Sequence, residues 1–413
     1  MKKLSVIQAK KQCWNKKTPE GWEIQTATTF EELEQLRDVW QEIQFKERSP
    51  QINADHERFV TLLKAKDNKA QPYVMLIKYK SQLKTIVIGY IEKLRINCRI
   101  GYLTLLKPTM RCFSIVYGGI IGEKNSEAAA VLIEELKKNL KNCKMDVVFF
   151  NHLRVDSDIF QLSKKLPGIL SRDYLSKMEN HSCMSVPKNI EEFFQTRSHN
   201  HRAKLKRYMK NLEKEFPNQV KMITYTKESD LDEAVRDASK VSRVTYQYEL
   251  GVGFRDTERK RTLLMTSARK GWLRLHILYI NGEPVAFQNI IKYGNQYVGY
   301  GIGFDPKWSR WRIGTVLFLK IIEYICTEAK AENYDFGFGD AEYKEIYGDK
   351  HWQEVSVYIF AARLYPIFVN LLRTVLRAVE LILEYILKKT GLRKKLKRYW
   401  RNRLIAKASE SVA

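Results

Sequence analysis

Runs of β-branched and aromatic residues alternate along this chain with stretches whose apolar positions recur every three or four residues. Residues 73–79 (YVMLIKY) and 85–94 (TIVIGYIEKL) are of the first kind and predict two strands joined by a short polar turn. A third strand is expected around residues 113–121, ending near Gly122. Over 126–140, Ala129, Leu132, Ile133, Leu136 and Leu140 fall on one face, the spacing of an amphipathic helix, with Ser126 as its N-cap. Residues 146–150 (DVVFF) then predict a short buried strand.

The same order recurs further on. Residues 273–280, 285–293 and 296–302 predict three strands, the first two joined at Asn281 and Gly282, residue types that tolerate the positive φ of a tight hairpin. A helix is expected over about 313–330 and a strand over 334–338. In both halves the helix is followed by a strand led by an acid, Asp146 or Asp335. We read a tandem repeat of one α+β unit: a basic segment over 1–20, a first unit over 21–185, a second over 186–362, and a C-terminal element over 363–413. A basic helix is expected over 193–216, with Arg197, Arg202, Lys204, Lys206, Arg207, Lys210 and Lys214 around Leu205, Tyr208 and Leu212. A second helix is expected over 230–246.

The C-terminal element differs in kind. Residues 367–387 are mostly apolar, and Arg373, Arg377, Glu380, Glu384 and Lys388 follow steps of four, three, four and four, so they line one narrow helical face. A central Arg costs about 2.5–3.5 kcal/mol in a membrane span, which argues against insertion. Residues 388–407 add ten Lys or Arg and no acid. Two placements follow: a helix lying on anionic lipid, or one docked on the protein's own core with a basic tail.

Charge sharpens the choice of partner. The 413 residues hold 72 Lys and Arg against 47 Asp and Glu, a net +25, which favours anionic ligands such as phosphate-bearing cofactors, nucleic acid or lipid. Six scattered cysteines without a CxxC pair exclude a disulfide scaffold and a zinc module. The pairs His181/Cys183 and His199/His201 lack the further ligands of a zinc motif, so no metal is expected. The first residues have no apolar core long enough for a signal peptide, and a cytoplasmic location is expected.

Two segments carry candidate chemistry. Residues 335–348 (DFGFGDAEYKEIYG) set an acid (Asp340), a phenol (Tyr343) and an ammonium (Lys344) within one corner, behind two glycines that let the backbone approach a ligand. Residues 307–315 (KWSRWRIGT) lie between a strand and a helix. There Ser309, Arg310, Arg312, Ile313, Gly314 and Thr315 offer N–H groups, cations and a helix dipole to phosphate oxygens.

With residues 272–288 (WLRLHILYINGEPVAFQ), 300–306 (YGIGFDP) and 314–317 (GTVL), the 335–344 element resembles the CelD-like acetyltransferase domain of the GNAT superfamily, associated with cellulose and exopolysaccharide biosynthesis. The first half is similar to the degenerate first copy in such proteins, and Fem-type aminoacyl transferases share the doubling. The resemblance implies an α+β fold of two tandem GNAT-like units, mixed sheets flanked by helices, followed here by the C-terminal amphipathic basic helix. It implies acetyl-CoA or another acyl-CoA as co-substrate, and transfer to an amine or hydroxyl of a sugar or lipid-linked acceptor at the inner membrane face. Asp340 would be the base and Tyr343 the acid. Lys344 would hold a phosphate or acidic substrate, with Gln288, Tyr300, Tyr246, Tyr248 and Arg255 around the acceptor. The family's phosphate loop has Gln or Arg where Ser309 stands and Gly where Arg312 stands, a departure that puts the pyrophosphate grip in doubt. Two other readings remain open: transfer from charged tRNA, favoured by the basic helix, and a catalytically degenerate scaffold, favoured by the altered loop.

Overall fold

The structure is a computed structural model, and it describes residues 20–66, 69–101, 103–328 and 331–390. The apolar runs become strands of one sheet that crosses the whole molecule. The first half supplies β1 (Trp22–Ala27), β2 (Val74–Tyr79), β3 (Gln82–Arg95), β4 (Thr109–Gly122), β5 (Val147–Arg154) and β6 (Met178–Ser185). The second supplies β7 (Val220–Tyr225), β8 (Leu273–Ile280), β9 (Glu283–Tyr293), β10 (Gln296–Phe304), β11 (Asn333–Phe338) and β12 (Lys350–Phe360). Their spatial order is β1-β2-β3-β4-β5-β12-β6-β11-β10-β9-β8-β7, with the short strand Ala70–Pro72 added beside β3.

This order reads the same from either end, with one exchange at the centre. Each half lays down its first five strands on one plan, and its last strand then pairs inside the other half. β12 lies between β5 and β6, with Val357 opposite Phe150 and Trp352 opposite His181. β6 lies between β12 and β11, with Met184 opposite Tyr334. The fold is thus a tandem of two α+β units fused through one mixed sheet.

Each unit has one parallel pair. β4 and β5 pair from Cys112↔Val147 to Ile115↔Phe150. β10 and β11 pair from Gln296↔Asn333 to Val298↔Asp335. All four strands run on past these rungs, so each pair opens into a splay.

Helices cover the sheet. Asn125 caps α1 (Ser126–Lys141), whose Leu132, Ile133 and Leu136 pack with Val148 and Phe150 of β5 and with Val357 and Ile359 of β12. The first unit's core is therefore closed by the last strand of the second. In the second unit α3 (Ile313–Thr327) sets Phe318 and Ile322 on Tyr297, Tyr334 and Phe336. The expected helix over 193–216 is two helices: Ile190–Gln195, then α2 (His199–Glu215) with Ser198 as a new N-cap. The expected helix over 230–246 ends at Arg243, and Tyr246 opens a separate turn, Tyr246–Glu249. Neither β6 nor β12 was expected; β6 (MENHSCMS) is too polar to read as a strand, although His181, Ser182, Cys183 and Met184 are buried.

The C-terminal helix is turned outward. α4 (Glu342–Tyr347) and β12 lead to α5 (Leu364–Lys389). Its charged stripe faces the body: Arg373 stacks over Tyr358 at 4.2 Å and reaches Asp173 at 3.7 Å, and Arg377 bonds Glu380 at 2.5 Å. Val369 and Leu376 are buried beside it. On the opposite side Leu364, Phe368, Leu371, Val375, Val379, Ile382 and Ile386 are all exposed, Leu364 to 90% and Phe368 to 60%. Their steps of four, three, four, four, three and four make one straight apolar stripe. Among the described residues no helix is long and apolar enough to cross a membrane. The basic run beyond residue 390 lies outside the described residues.

The exchange should weld the two units into one cooperative body. A single urea transition is expected, and Ile359→Ala, at the β5–β12 seam, should lower stability by about 2–5 kcal/mol. Two separate transitions in a denaturation series would contradict the weld.

Candidate active site

The second splay has an open helix start at one edge. The turn Pro306–Trp311 ends at Arg312, whose φ of 54° is left-handed and bends the chain into α3. Arg312 N–H donates to Ser309 O at 3.1 Å, and Thr315 N–H to Arg312 O at 2.8 Å. The N–H groups of Ile313 and Gly314 lie in the first turn, where no intrahelical acceptor exists. Ser309, Arg310 and Arg312 are exposed around them, Arg310 lying 4.8 Å over the Trp311 ring. A Cβ on Gly314 would come within 3.3 Å of Phe304, so the glycine admits that ring.

Just past the last paired rung stands Gly299, where an added Cβ would make only ordinary contacts. A Cβ there would sit 3.5 Å from Asp335 O and 3.9 Å from both Gln288 Nε2 and the Tyr334 ring. Gln288 Nε2 donates to Tyr334 Oη at 2.5 Å, while its Oε1 has no partner among the described residues. Tyr343, on α4, meets Phe336 edge-on at 5.8 Å. Burial, and then the neighbouring Tyr246, push the Tyr343 phenol up to about 12. It holds its proton at neutral pH. Gln288, Tyr334, Tyr343 and Tyr246 are thus brought together.

The corner after β11 differs from expectation. Gly337 and Gly339 have φ of 69° and 105°, and an added Cβ at either would meet nothing within 4 Å. They serve the reversal of the chain, not close packing. Lys344 is buried and donates to Phe338 O, which fastens the corner; burial lowers its pKa, with Asp335 and Asp340 acting the other way. Its ammonium is thus committed to a backbone carbonyl beside Asp335 and Asp340, where a phosphate ligand was expected of it. Asp340, expected as the base, is exposed and accepts from Asn180 Nδ2 at 3.0 Å. Tyr248 and Arg255 occupy one another, with Arg255 Nη2 donating to Tyr248 O at 2.8 Å and stacking on its ring. Tyr300 reaches into the first unit, its Oη donating to Asn53 Oδ1 at 3.4 Å beneath Arg58.

The other face of the sheet holds a group that sequence reasoning missed. Tyr334 and Phe336 pack toward α3, so Asp335 between them points the opposite way. There it accepts from Gly337 N–H at 2.6 Å and lies 2.6 Å from His181 Nε2. His181 stacks on Trp352 at 4.4 Å, and its Nδ1 lies 3.8 Å from Glu354 Oε1. That oxygen also accepts from Trp352 Nε1 at 2.6 Å and Tyr117 Oη at 3.4 Å. Beside them His152, at a left-handed φ of 58°, stacks on Phe338 at 4.0 Å. Tyr117, His152, Trp352, Glu354 and Asp335 line a cavity of about 640 Å³ between the units. Cys183 also lines it, but burial pushes its thiol up to about 12, so it is not a ready nucleophile. Of this row His181 and Cys183 stood out in the sequence as a rejected metal pair and Asp335 as the acid that leads its strand. Glu354 sits in a strand that was not expected.

Burial raises the Glu354 pKa above its ordinary 4.5, against the pull of Trp352, His181 and His152, with Asp335 adding to the rise. Below 4.5 the carboxyl is protonated whether the chain is folded or not. As pH climbs through the raised folded value, the native state must ionise a group that the unfolded chain ionises freely, and stability is lost. Glu354→Gln should therefore melt higher than the native protein near neutral pH, with the gap closing toward pH 4.5. A gap that widens on acidification in thermal melts would reverse the assignment.

Residues 199–345 match the family model described as an acetyltransferase (GNAT) domain. No curated protein matches the chain at significant similarity. Among solved structures, FemX superposes with a TM-score of 0.56 at 12% identity, covering 82% of this chain and 98% of that one. A tandem GNAT protein from the clavulanic acid biosynthesis pathway is 9% identical, with a TM-score of 0.49 over 83% of this chain and all of its own. At such identities the likeness is one of fold, and the family assignment rests on the matched domain. Within the second half of the chain, residues 199–345 thus match a GNAT acetyltransferase domain.

Proposed function

We propose that the chain moves an acyl group from acetyl-CoA or a longer acyl-CoA to an amine or hydroxyl of a cell-surface polysaccharide or lipid-linked precursor, as its resemblance to CelD-like acetyltransferases implies. The observation that carries this reading is the second splay. Its unit carries both an open helix start flanked by Arg310 and Arg312 and a buried phenol, Tyr343, that keeps its proton. Ile313 and Gly314 N–H, with the two guanidinium groups, suit the pyrophosphate and replace by charge what the altered loop lacks in glycine. The acceptor attacks the thioester carbonyl directly. A C–N or C–O bond forms, the C–S bond breaks, and the thiolate takes the Tyr343 proton. The protonated state of Cys183 supports direct attack over a thiol intermediate.

Calorimetric titration with acetyl-CoA and longer acyl-CoAs tests the donor. Saturable binding is expected, and an Arg310→Ala/Arg312→Ala pair should lose it. With any acceptor that turns over, Tyr343→Phe should lower kcat by about 10²–10⁴-fold, whereas Asp340→Asn, at the surface, should leave it nearly unchanged. Folded protein that ignores every acyl-CoA but binds charged tRNA, with a steep loss in salt, would instead favour the tRNA-dependent reading. The exposed cations Lys204, Lys206, Arg207 and Lys210 on α2 are the feature that favours it.

We also infer that the chain works against the inner, anionic membrane face. The outward apolar stripe of α5 supports this, since an exposed apolar surface of that extent asks for cover. The neighbouring hairpin adds exposed Leu103, Leu105 and Leu106, and the ten Lys and Arg of residues 388–407 suit acidic headgroups. Phe368→Glu with Val375→Glu should abolish co-sedimentation with phosphatidylglycerol vesicles. Undiminished sedimentation of the double variant would refute lipid docking.

A further inference from the structure

The surface around the start of α3 carries a row of unpaired cations. Arg207, Lys210 and Lys214 follow steps of three and four on the outer face of α2, opposite the buried Leu205 and Leu212. The end of α2 is fastened to the loop before α3, where Phe216 lies 5.5 Å from the Trp308 ring and 5.6 Å from the Trp311 ring. Lys307, Arg310 and Arg312 of that loop continue the row, and all six cations are exposed. Among the described residues none of the six forms an ion pair. Neighbouring acids do not neutralise them. Glu213 accepts from Asn218 N–H at 3.1 Å, Asp305 accepts from Lys307 N–H at 2.9 Å, and Glu215 is one carboxylate against six cations. On the other face of the sheet, by contrast, Arg261, Arg269 and Lys270 of the same unit each meet a carboxylate. Beside the row the Phe304 ring, which Gly314 admits, is 41% exposed. The row also outruns the loop, since α2 rises about 10 Å from Arg207 to Lys214.

We propose that this surface docks an acidic carrier protein, which presents the acyl group as a thioester on a phosphopantetheine arm. The proposal rests on the acyltransferase reading and names the bearer of its donor. The loop suits such an arm, which holds a single phosphodiester. Arg312 and Thr315 N–H are already spent within the turn, so Ile313 and Gly314 N–H remain, enough for one phosphate. The six cations suit the rest of the carrier, because complementary charge spread over a surface steers a protein partner and fixes its register. Phe304 adds the apolar contact that a protein interface places inside a charged rim. An RNA is also a polyanion, but the donor in this reading is a thioester, and the polyanion that bears a thioester is an acidic protein. On transfer the acceptor's C–N or C–O bond forms as the C–S bond breaks. The carrier leaves as its free thiol with the Tyr343 proton, and the proton lost by the acceptor restores the phenol.

The test titrates the full chain with an acyl carrier protein in its acylated form and, separately, with the matching acyl-CoA. Saturable one-to-one binding of the acylated carrier is expected. Arg207→Glu/Lys210→Glu/Lys214→Glu should weaken it by about tenfold or more, while acyl-CoA binding stays within about twofold, because these positions lie outside the loop that holds the phosphate. An equal loss for both ligands, or no effect on the carrier, would overturn the docking surface. Should the triple variant fail to fold, the native protein still decides. Its affinity for the carrier should fall more steeply between about 50 and 300 mM salt than its affinity for acyl-CoA, and equal slopes would count against the proposal. The failures are distinguishable. Binding of acyl-CoA without the carrier overturns the carrier and leaves the acyltransferase reading in place. Binding of neither, with charged tRNA held and then released by the triple variant, overturns both.

Discussion

The pairing of β12 between β5 and β6 is the constraint on which the rest of this molecule depends. Without it β5 and β6 would be bare edges, and the apolar rows Val148/Phe150 and Val357/Ile359 would each lack a partner. With it, the two units share one sheet and one central seam. The seam is also where the unusual chemistry collects. Glu354 and Trp352 come from β12, His181 from β6, Asp335 from β11 and Tyr117 from β4. No single unit holds this group; the exchange assembles it.

Burial then decides what each group can do. Tyr343 and Cys183 are both pushed up to about 12 by burial, so both keep their protons at neutral pH. Lys344, which would serve as a phosphate ligand if exposed, is spent on a carbonyl that fixes the turn after β11. Asp335 is committed to Gly337 and His181. The exposed Asp340 and the buried Glu354 are the same functional group in opposite surroundings, and the surroundings separate their roles. The two sides of β11 differ accordingly: the phenol and the helix start lie on the α3 face, the carboxylates and the imidazole on the other.

The C-terminal helix shows the same logic at the surface. A helix that docks normally buries its apolar stripe and wets its charges. α5 does the reverse because the body offers Arg373 better partners than water does, the Tyr358 and Phe360 rings and Asp173, while Arg377 pairs with Glu380 of the same helix. The apolar stripe is left outward as a consequence.

The sequence by itself determined the repeat, the strands and helices with strong local periodicity, and the resemblance of 272–344 to one superfamily. It could do so because strands β2, β3 and β8 to β10 and helices α1 and α3 carry their burial pattern in nearest neighbours. It also located the stripe of charges on α5, though not the direction in which it faces. Only the tertiary structure decided the exchange, because β6 is polar and becomes a buried strand through the strands on either side of it. The cluster followed the same rule. His181, Asp335 and Glu354 lie far apart in sequence, each is an ordinary residue alone, and their meaning comes from a low-dielectric seam that no local pattern encodes.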